Sequence, residues 1–427
     1  MTVLGRGGLI LLGRILQAGA AAVAGWEVAR VLGPSGQGRF SLLVLLATAG
    51  AALLNGGVGL AAVPPLRRGE LPLRDVWRAQ LLWIAGAVLA AVPLTWLVLP
   101  RWPDLAPLLA RTGTSPVAAA VLAALAGMLL ADVMAYDLNA RGRVFQPPAV
   151  NAGRAAAWCL LALLLGEGGS GAARLIAAYA AAHLLGGTVL AWLARREDAA
   201  ASGRGTAAGV PVGVVRLARR LWWEGRTGQL SAVVSLLHLR LDLAVVALFH
   251  PPAVVGVYSV AVLVGEMLWL IPGALQPLLM HSAAGRDRER DRRTLLAVRW
   301  GVAATALGGA VLLAAAPALL PRLFGPAYAG AVPALRALLP GIVVFAAGSV
   351  LAGDFIGRGR AAWNTRAGLL TLAVNLAAGL LLIPAHGAVG AAWASSLAYA
   401  AGSLDMLRRF HRATGLPWRD HLHRISV

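Results

Sequence analysis

Lysine is absent from this 427-residue chain: all 38 basic residues are arginine. Acidic residues number only 18, and charged residues together make up 13% of the sequence, against roughly 25% in an ordinary soluble domain. Cysteine occurs once, as Cys159 in an apolar run, which excludes an intramolecular disulfide and argues against a thiolate metal site. No nucleotide-binding motif, metal-ligand cluster or pair of catalytic carboxylates is present, so nothing argues for an enzyme. What the chain has in excess is hydrocarbon: 59% hydrophobic residues and a mean hydropathy of +0.73. That composition indicates an integral membrane protein. The formal charge of +20 raises nucleic acid as a partner, and the placement of the arginines decides against it.

A helix needs about 20 apolar residues to cross the hydrocarbon core. Runs of that order recur twelve times, at 8–31, 39–63, 77–99, 116–140, 148–166, 171–193, 228–249, 253–280, 296–318, 331–353, 367–384 and 388–407. Loops numbered along the chain alternate in charge. One set holds 27 arginines, among them Arg67, Arg68, Arg195, Arg196, Arg292 and Arg293, and the other holds five: Arg39, Arg101, Arg111, Arg174 and Arg322. The positive-inside rule therefore predicts cytoplasmic N- and C-termini, in agreement with an even span count. The charge is topological, and anionic lipid at the inner leaflet accounts for it better than nucleic acid does. The first span has no small-residue cleavage site before a polar chain and reads as an uncleaved helix. Tryptophans near span ends, such as Trp26, Trp77, Trp102 and Trp222, fit an interfacial aromatic belt.

The chain also repeats itself. Pro34, Gly38, Phe40 and Ser41 after the first span match Pro252, Gly256, Tyr258 and Ser259 after the seventh, at an offset of 218. "DLNARGR" (137–143) matches "DFIGRGR" (354–360) at 217, and "GAA" at 171–173 matches 390–392 at 219. Three near-equal offsets at span-matched places predict two six-helix halves, 1–195 and 215–412, with a cytoplasmic linker 196–214 and a cytoplasmic tail 413–427. Six spans per half give a parallel repeat about an axis along the membrane normal, one of the designs of secondary transporters.

The stretches "ARVLGPSGQGRFSLL" (29–43), "LRLDLAVVALFHPPAVVGVYSVA" (239–261), "LLPGIVVFAAGSVLAGDFIGRGR" (338–360) and "LLIPAHGAVGAAWASSLAYA" (381–400) resemble bacterial polysaccharide flippases of the MOP (MATE-like) exporter superfamily. The resemblance covers nearly the whole chain at pattern level. It implies an all-α membrane protein of about twelve transmembrane helices, in two six-helix bundles around a central cavity. It implies alternating-access movement of polyprenyl-pyrophosphate-linked oligosaccharide from the inner to the outer leaflet of the bacterial cytoplasmic membrane. A polysaccharide polymerase and glycosyltransferases are the partners such a role would bring. A lipid II flippase or a cation or drug exporter of the same superfamily, and a membrane glycosyltransferase or polymerase, are the alternative readings.

Charges within spans carry the functional expectation, because a charge at the bilayer centre costs roughly 2.5–3.5 kcal/mol on insertion scales. Arg240 is about twelve residues from one end of its span, on the order of 18 Å at 1.5 Å per residue, too deep to snorkel readily. Arg14 and Arg154 are shallower, and either snorkel to the cytoplasmic headgroups or line a cavity. Guanidinium groups bind phosphate oxygens in bidentate fashion and stay charged, so Arg240, Arg14 and Arg154 are the candidate pyrophosphate ligands. Glu266 lies at the depth of Arg240, and either it or Asp242 could pair with that arginine. Residues two apart on a helix do not face each other, which weakens Arg240–Asp242 and leaves His238 and Asp242 sharing a face as a protonatable pair. His238, Asp242, Glu266 and Asp132 are the candidates for coupling transport to Na+ or H+; no cofactor is expected. Asp137 with Arg141, and Asp354 with Arg358, are i,i+4 pairs with the acid first, expected to brace or gate the cytoplasmic ends of spans four and ten. Glu27 with Arg30 reads as an interfacial pair.

Overall fold

The computed structural model describes residues 3–98, 114–166, 171–202, 213–281 and 288–416. Among them are twelve α-helices and two single 3-10 turns, and no strand. The helices are α1 (Val3–Leu54), α2 (Val58–Arg67), α3 (Leu73–Val98), α4 (Thr114–Ala140), α5 (Gln146–Gly166), α6 (Ala172–Ser202), α7 (Val214–Phe249), α8 (Pro252–Glu266), α9 (Leu270–His281), α10 (Arg288–Phe324), α11 (Ala331–Gly357) and α12 (Ala362–Thr414).

The expected spans map onto these helices with two kinds of adjustment. First, α1 and α12, at 52 and 53 residues, are each far longer than the bilayer needs. Each is cut by one glycine. Gly33 takes φ 64° beside Pro34, and Gly387 takes φ 53°, three residues after Pro384. A positive φ is strained for any residue with a Cβ, and proline removes a helix donor, so each long helix provides two spans. Among the described residues ten helical stretches, the joined α8 and α9 counting as one, are long and apolar enough to cross a membrane, and these two cuts bring the number there to twelve.

Second, two expected spans are discontinuous. The run at 253–280 is α8, a 3-10 turn at Met267–Trp269, and α9. The run at 39–63 breaks at Asn55, Gly56 and Gly57, with φ of 67° and 69° at the two glycines. Backbone freed inside a membrane must find partners within the protein. Here the Asn55 side chain accepts from the Gly57 N–H at 3.2 Å, Trp83 Nε1 donates to the Leu54 carbonyl at 3.0 Å, and Gln229 donates to the Ala52 carbonyl.

The helices form two compact units. The first comprises residues 1–32 and 39–236, the second 33–38 and 237–427. The seam falls inside α7, whereas the sequence repeat divides the chain at 196–214. Within the first unit, Phe40 stacks on Trp158 (5.8 Å between ring centres), near Tyr179, in a core that includes Ala24, Leu43, Val121 and Ile176. A second core there joins Trp77, Leu129, Met134, Leu138 and Leu217. Within the second unit, Phe355, Val350, Leu351, Leu295 and Phe410 belong to one buried core.

The second unit also holds the turn 33–38, which lies against the start of α8. A Cβ on Gly38 would fall on the Pro252 carbonyl, and one on Gly256 would fall on the Pro34 carbonyl. Gln37 donates to Ser259 Oγ at 3.2 Å across the same crossing. The residues matched by the repeat are thus the residues that meet, backbone to backbone, as small residues permit between membrane helices.

Candidate functional site: intramembrane charges and their partners

In the second unit Arg240 projects from α7 toward α8. Its two terminal nitrogens donate to the two carboxylate oxygens of Glu266 at 2.9 and 3.0 Å. This bidentate arrangement is the strong form of an arginine–carboxylate pair, and it neutralises both charges where neither could stand alone. The arginine side chain keeps 36% of its surface accessible and the glutamate 18%, so the pair is reachable by a ligand.

Asp242, two residues on, faces elsewhere and is buried at 3% exposure. Its Oδ2 accepts from the Tyr258 hydroxyl of α8 and from Ser395 Oγ of α12 at 2.9 Å, and its Oδ1 from the Leu243 N–H at 2.8 Å. Asn375 Nδ2 donates to Ser395 Oγ at 3.2 Å. All these donors are neutral groups, drawn from three helices. The expected His238–Asp242 arrangement is therefore replaced: Asp242 turns to Tyr258 and Ser395, while the His238 ring lies 6.5 Å from that of Phe345. Phe345 belongs to an aromatic group with Trp269 and Tyr399. One face of a helix offers two directions, and the hydroxyls supply the shorter one.

At the cytoplasm-facing end expected for span ten, Asp354 is fully buried and accepts from Arg358 Nε at 2.5 Å, Thr294 at 3.2 Å and Arg290 at 3.3 Å. Arg358 also donates to Asp291 at 2.6 Å, tying α10 to α11. The repeat-related Asp137 is equally buried, but its hydrogen-bond donor is an uncharged side chain. It accepts from Gln80 Nε2 at 3.1 Å, and Oδ2 has no hydrogen-bond partner among the described residues. Arg141 stands one turn further along, and the neighbouring Arg143 pairs with Glu197 at 2.8 Å.

The other intramembrane charges lie in the first unit. Arg154 donates to His183 Nε2, and His183 Nδ1 sits 2.8 Å from the Tyr179 carbonyl. A guanidinium can only donate, so Nε2 is the bare nitrogen and Nδ1 carries the proton to Tyr179. The bulk of the Arg154 side chain lies along Gly186. Arg14 is exposed on α1. Glu27 and Arg30 form a bidentate pair at 2.7 and 2.9 Å, with Arg30 over the Trp26 ring.

Asp132 lines a cavity of about 380 Å³ at the α1–α2 break, together with Asn55, Tyr136, Asn139 and Gln229. Asn55 Nδ2 approaches its carboxylate to 3.5 Å. Asp132, Tyr136 and Asn139 are at i, i+4 and i+7 on α4, and so share one face. Among the described residues no group of three His, Cys, Asp or Glu could hold a metal ion.

Sequence reasoning missed Tyr258, Ser395, Asn375 and His183 as partners, along with the helix break at Asn55. Tyr258 did carry a signal: the repeat places it opposite Phe40, the same ring without the hydroxyl.

No protein-family model and no curated protein sequence matches the chain. Solved structures do. A lipid II flippase MurJ in an inward closed conformation superposes with a TM-score of 0.74 at 13% identity, over 97% of this chain and 89% of that one. An inward-facing multidrug resistance MATE family transporter of the MOP superfamily gives 0.65 at 15% identity, covering 93% and 94%. A MOP superfamily transporter from Pyrococcus furiosus, described as having a binding pocket of reversed polarity, gives 0.62 at 14%, covering 96% and 94%. The protein is a multi-pass membrane protein. Its described residues, helical and without a strand, share the fold of MurJ and of the MATE transporters of the MOP superfamily.

Proposed function

We propose that the chain is a flippase that carries polyprenyl-pyrophosphate-linked oligosaccharide from the inner to the outer leaflet of a bacterial cytoplasmic membrane, with both termini cytoplasmic. The observation that carries this reading is the partly accessible Arg240–Glu266 pair in the middle of a span. An arginine at that depth is expensive, and a structural role alone would favour closing it off.

A pyrophosphate offers Arg240 the same bidentate geometry as Glu266 and more negative charge. Substrate therefore competes with Glu266 for the guanidinium, and the displaced carboxylate takes up a proton or a cation. Release reverses the exchange. Binding must differ between the two access states for transport to run in one direction, and Asp242, whose donors are all neutral, is the second group able to gain or lose a positive charge. Asp132, in its polar cavity, is the candidate in the first unit, with Arg154 and Arg14 as further phosphate ligands. Alternating access by the two six-helix halves, 1–195 and 215–412, completes the reading.

The higher TM-score to a lipid II flippase than to the MATE transporters supports a lipid-linked substrate over a soluble drug. Arg240→Ala provides the test in cells that make a surface glycan. The variant is expected to insert normally, to remove outer-surface glycan, and to accumulate lipid-linked repeat units on the inner leaflet. Normal surface glycan from an Arg240→Ala chain would overturn the assignment.

A further inference from the structure

Beside the polar cavity, and still within the first unit, lies a larger apolar groove of about 590 Å³. Its walls are the end of α1 (Leu53, Leu54), one face of α3 (Leu82, Trp83, Gly86, Ala87, Ala90) and the early turns of α7 (Val215, Ala218, Arg219, Trp222). Three features give it a chemical direction.

The interior presents hydrocarbon. The indole N–H of Trp83 is directed to the Leu54 carbonyl and the Gln229 amide to the Ala52 carbonyl, so the donors that could make the groove wet face α1. The rings of Trp83 and Trp222 stack at 6.0 Å and form a flat apolar floor. On α3, Gly86 leaves open space, since a Cβ there would meet nothing within 4 Å.

Among the described residues that line the groove, Arg219 is the cation. Arg219 is exposed and, among the described residues, has no hydrogen bond or ion pair, while its neighbour Arg220 is held by Glu224 at 2.8 Å. Arg219 lies three residues before Trp222, toward the end of α7 that the arginine distribution places in the cytoplasm. That end is where the sequence expects the inner-leaflet headgroups.

The groove is also short. From Leu82 to Ala90 is eight residues of helix, about 12 Å at 1.5 Å per residue. That length takes part of an ordinary acyl chain rather than a long polyprenyl tail. A single arginine likewise matches a single phosphodiester better than a pyrophosphate, which calls for more donors.

We infer that this groove is a binding site for an anionic glycerophospholipid of the inner leaflet, its phosphate on Arg219 and one acyl chain over Trp83, Trp222, Gly86 and Ala90. The inference needs only that the chain is membrane-embedded and stands apart from the flippase reading. Occupancy would hold α3, α7 and the broken α1–α2 segment together at the place where the polar cavity begins.

Native mass spectrometry of the purified full-length protein tests it, with phosphatidylglycerol and phosphatidylcholine of identical acyl chains as probes. Phosphatidylglycerol is expected to bind more tightly. Arg219→Gln should weaken it about fivefold, the effect of one arginine at an anionic membrane surface, and leave phosphatidylcholine unchanged. Gly86→Leu fills open space without moving backbone and should weaken both lipids. Unchanged phosphatidylglycerol binding in either variant would overturn the site, as would an equal loss of both lipids in Arg219→Gln. Displacement of phosphatidylglycerol by stoichiometric farnesyl pyrophosphate would also overturn the proposed occupant, assigning the groove to an isoprenoid pyrophosphate.

Discussion

The repeat sets two versions of one helical pair side by side. At an offset of 218, Arg240 corresponds to Ala22, Asp242 to Ala24, Tyr258 to Phe40 and Glu266 to Thr48. In the second unit these positions hold a bidentate ion pair and a buried carboxylate with hydroxyl partners. In the first, Ala24 and Phe40 are part of an apolar core and the Thr48 hydroxyl donates to the Val44 carbonyl of its own helix. At these four matched positions the repeat thus carries charges in one copy and none in the other. Folding does not require the charges, so their presence in one copy only points to work other than holding helices together.

The largest effect that could break this comparison comes from removing half of the pair. Glu266→Ala leaves Arg240 uncompensated and should cost about 3–5 kcal/mol, read as a loss of unfolding free energy of the purified protein in mixed micelles. A loss below about 1 kcal/mol would mean that Arg240 reaches water or headgroups unaided. Next comes the crossing of the repeated turns, where Gly38 and Gly256 play equal parts. Gly38→Ala and Gly256→Ala should each cost about 3 kcal/mol, the upper part of the range for forcing a methyl into closed packing. Markedly unequal costs would show that the crossing is not reciprocal.

Smaller, and sharper, is the contrast between Asp354 and Asp137. Asp354→Asn weakens charge-assisted bonds from two arginines and should cost about 1.5–3 kcal/mol. Asp137→Asn retains an oxygen for Gln80 and should cost under about 1 kcal/mol by the same reasoning. Equal costs measured by the same unfolding titration would show that Arg141 supports Asp137 as Arg358 supports Asp354.

Much of this was legible in the sequence because membrane helices announce themselves by length and hydrophobicity, and because duplicated spans carry a constant offset. Depth alone offers Glu266 beside Asp242 as the partner of Arg240, since opposite charges at one level of adjacent spans have few other partners. Asp242 was harder. Its partners Tyr258 and Ser395 are 16 and 153 residues away, and hydroxyls do not stand out in apolar runs as charges do. The break at Asn55–Gly57 is hidden within the apolar run 39–63, since two glycines barely alter its hydrophobicity. Positive φ at both is what distinguishes them from the glycines that merely allow close helix packing.

The double substitution Arg240→Ala with Glu266→Thr tests the central claim most directly, because it writes the first copy's residues into the second. Surface glycan in cells carrying it, alongside unfolding of the purified protein, gives both readings at once. Stability within about 1 kcal/mol of the parent, as expected when an ion pair is removed whole, together with absent surface glycan and accumulated lipid-linked repeat units, is the predicted result. Parent-level surface glycan from the double variant would contradict it.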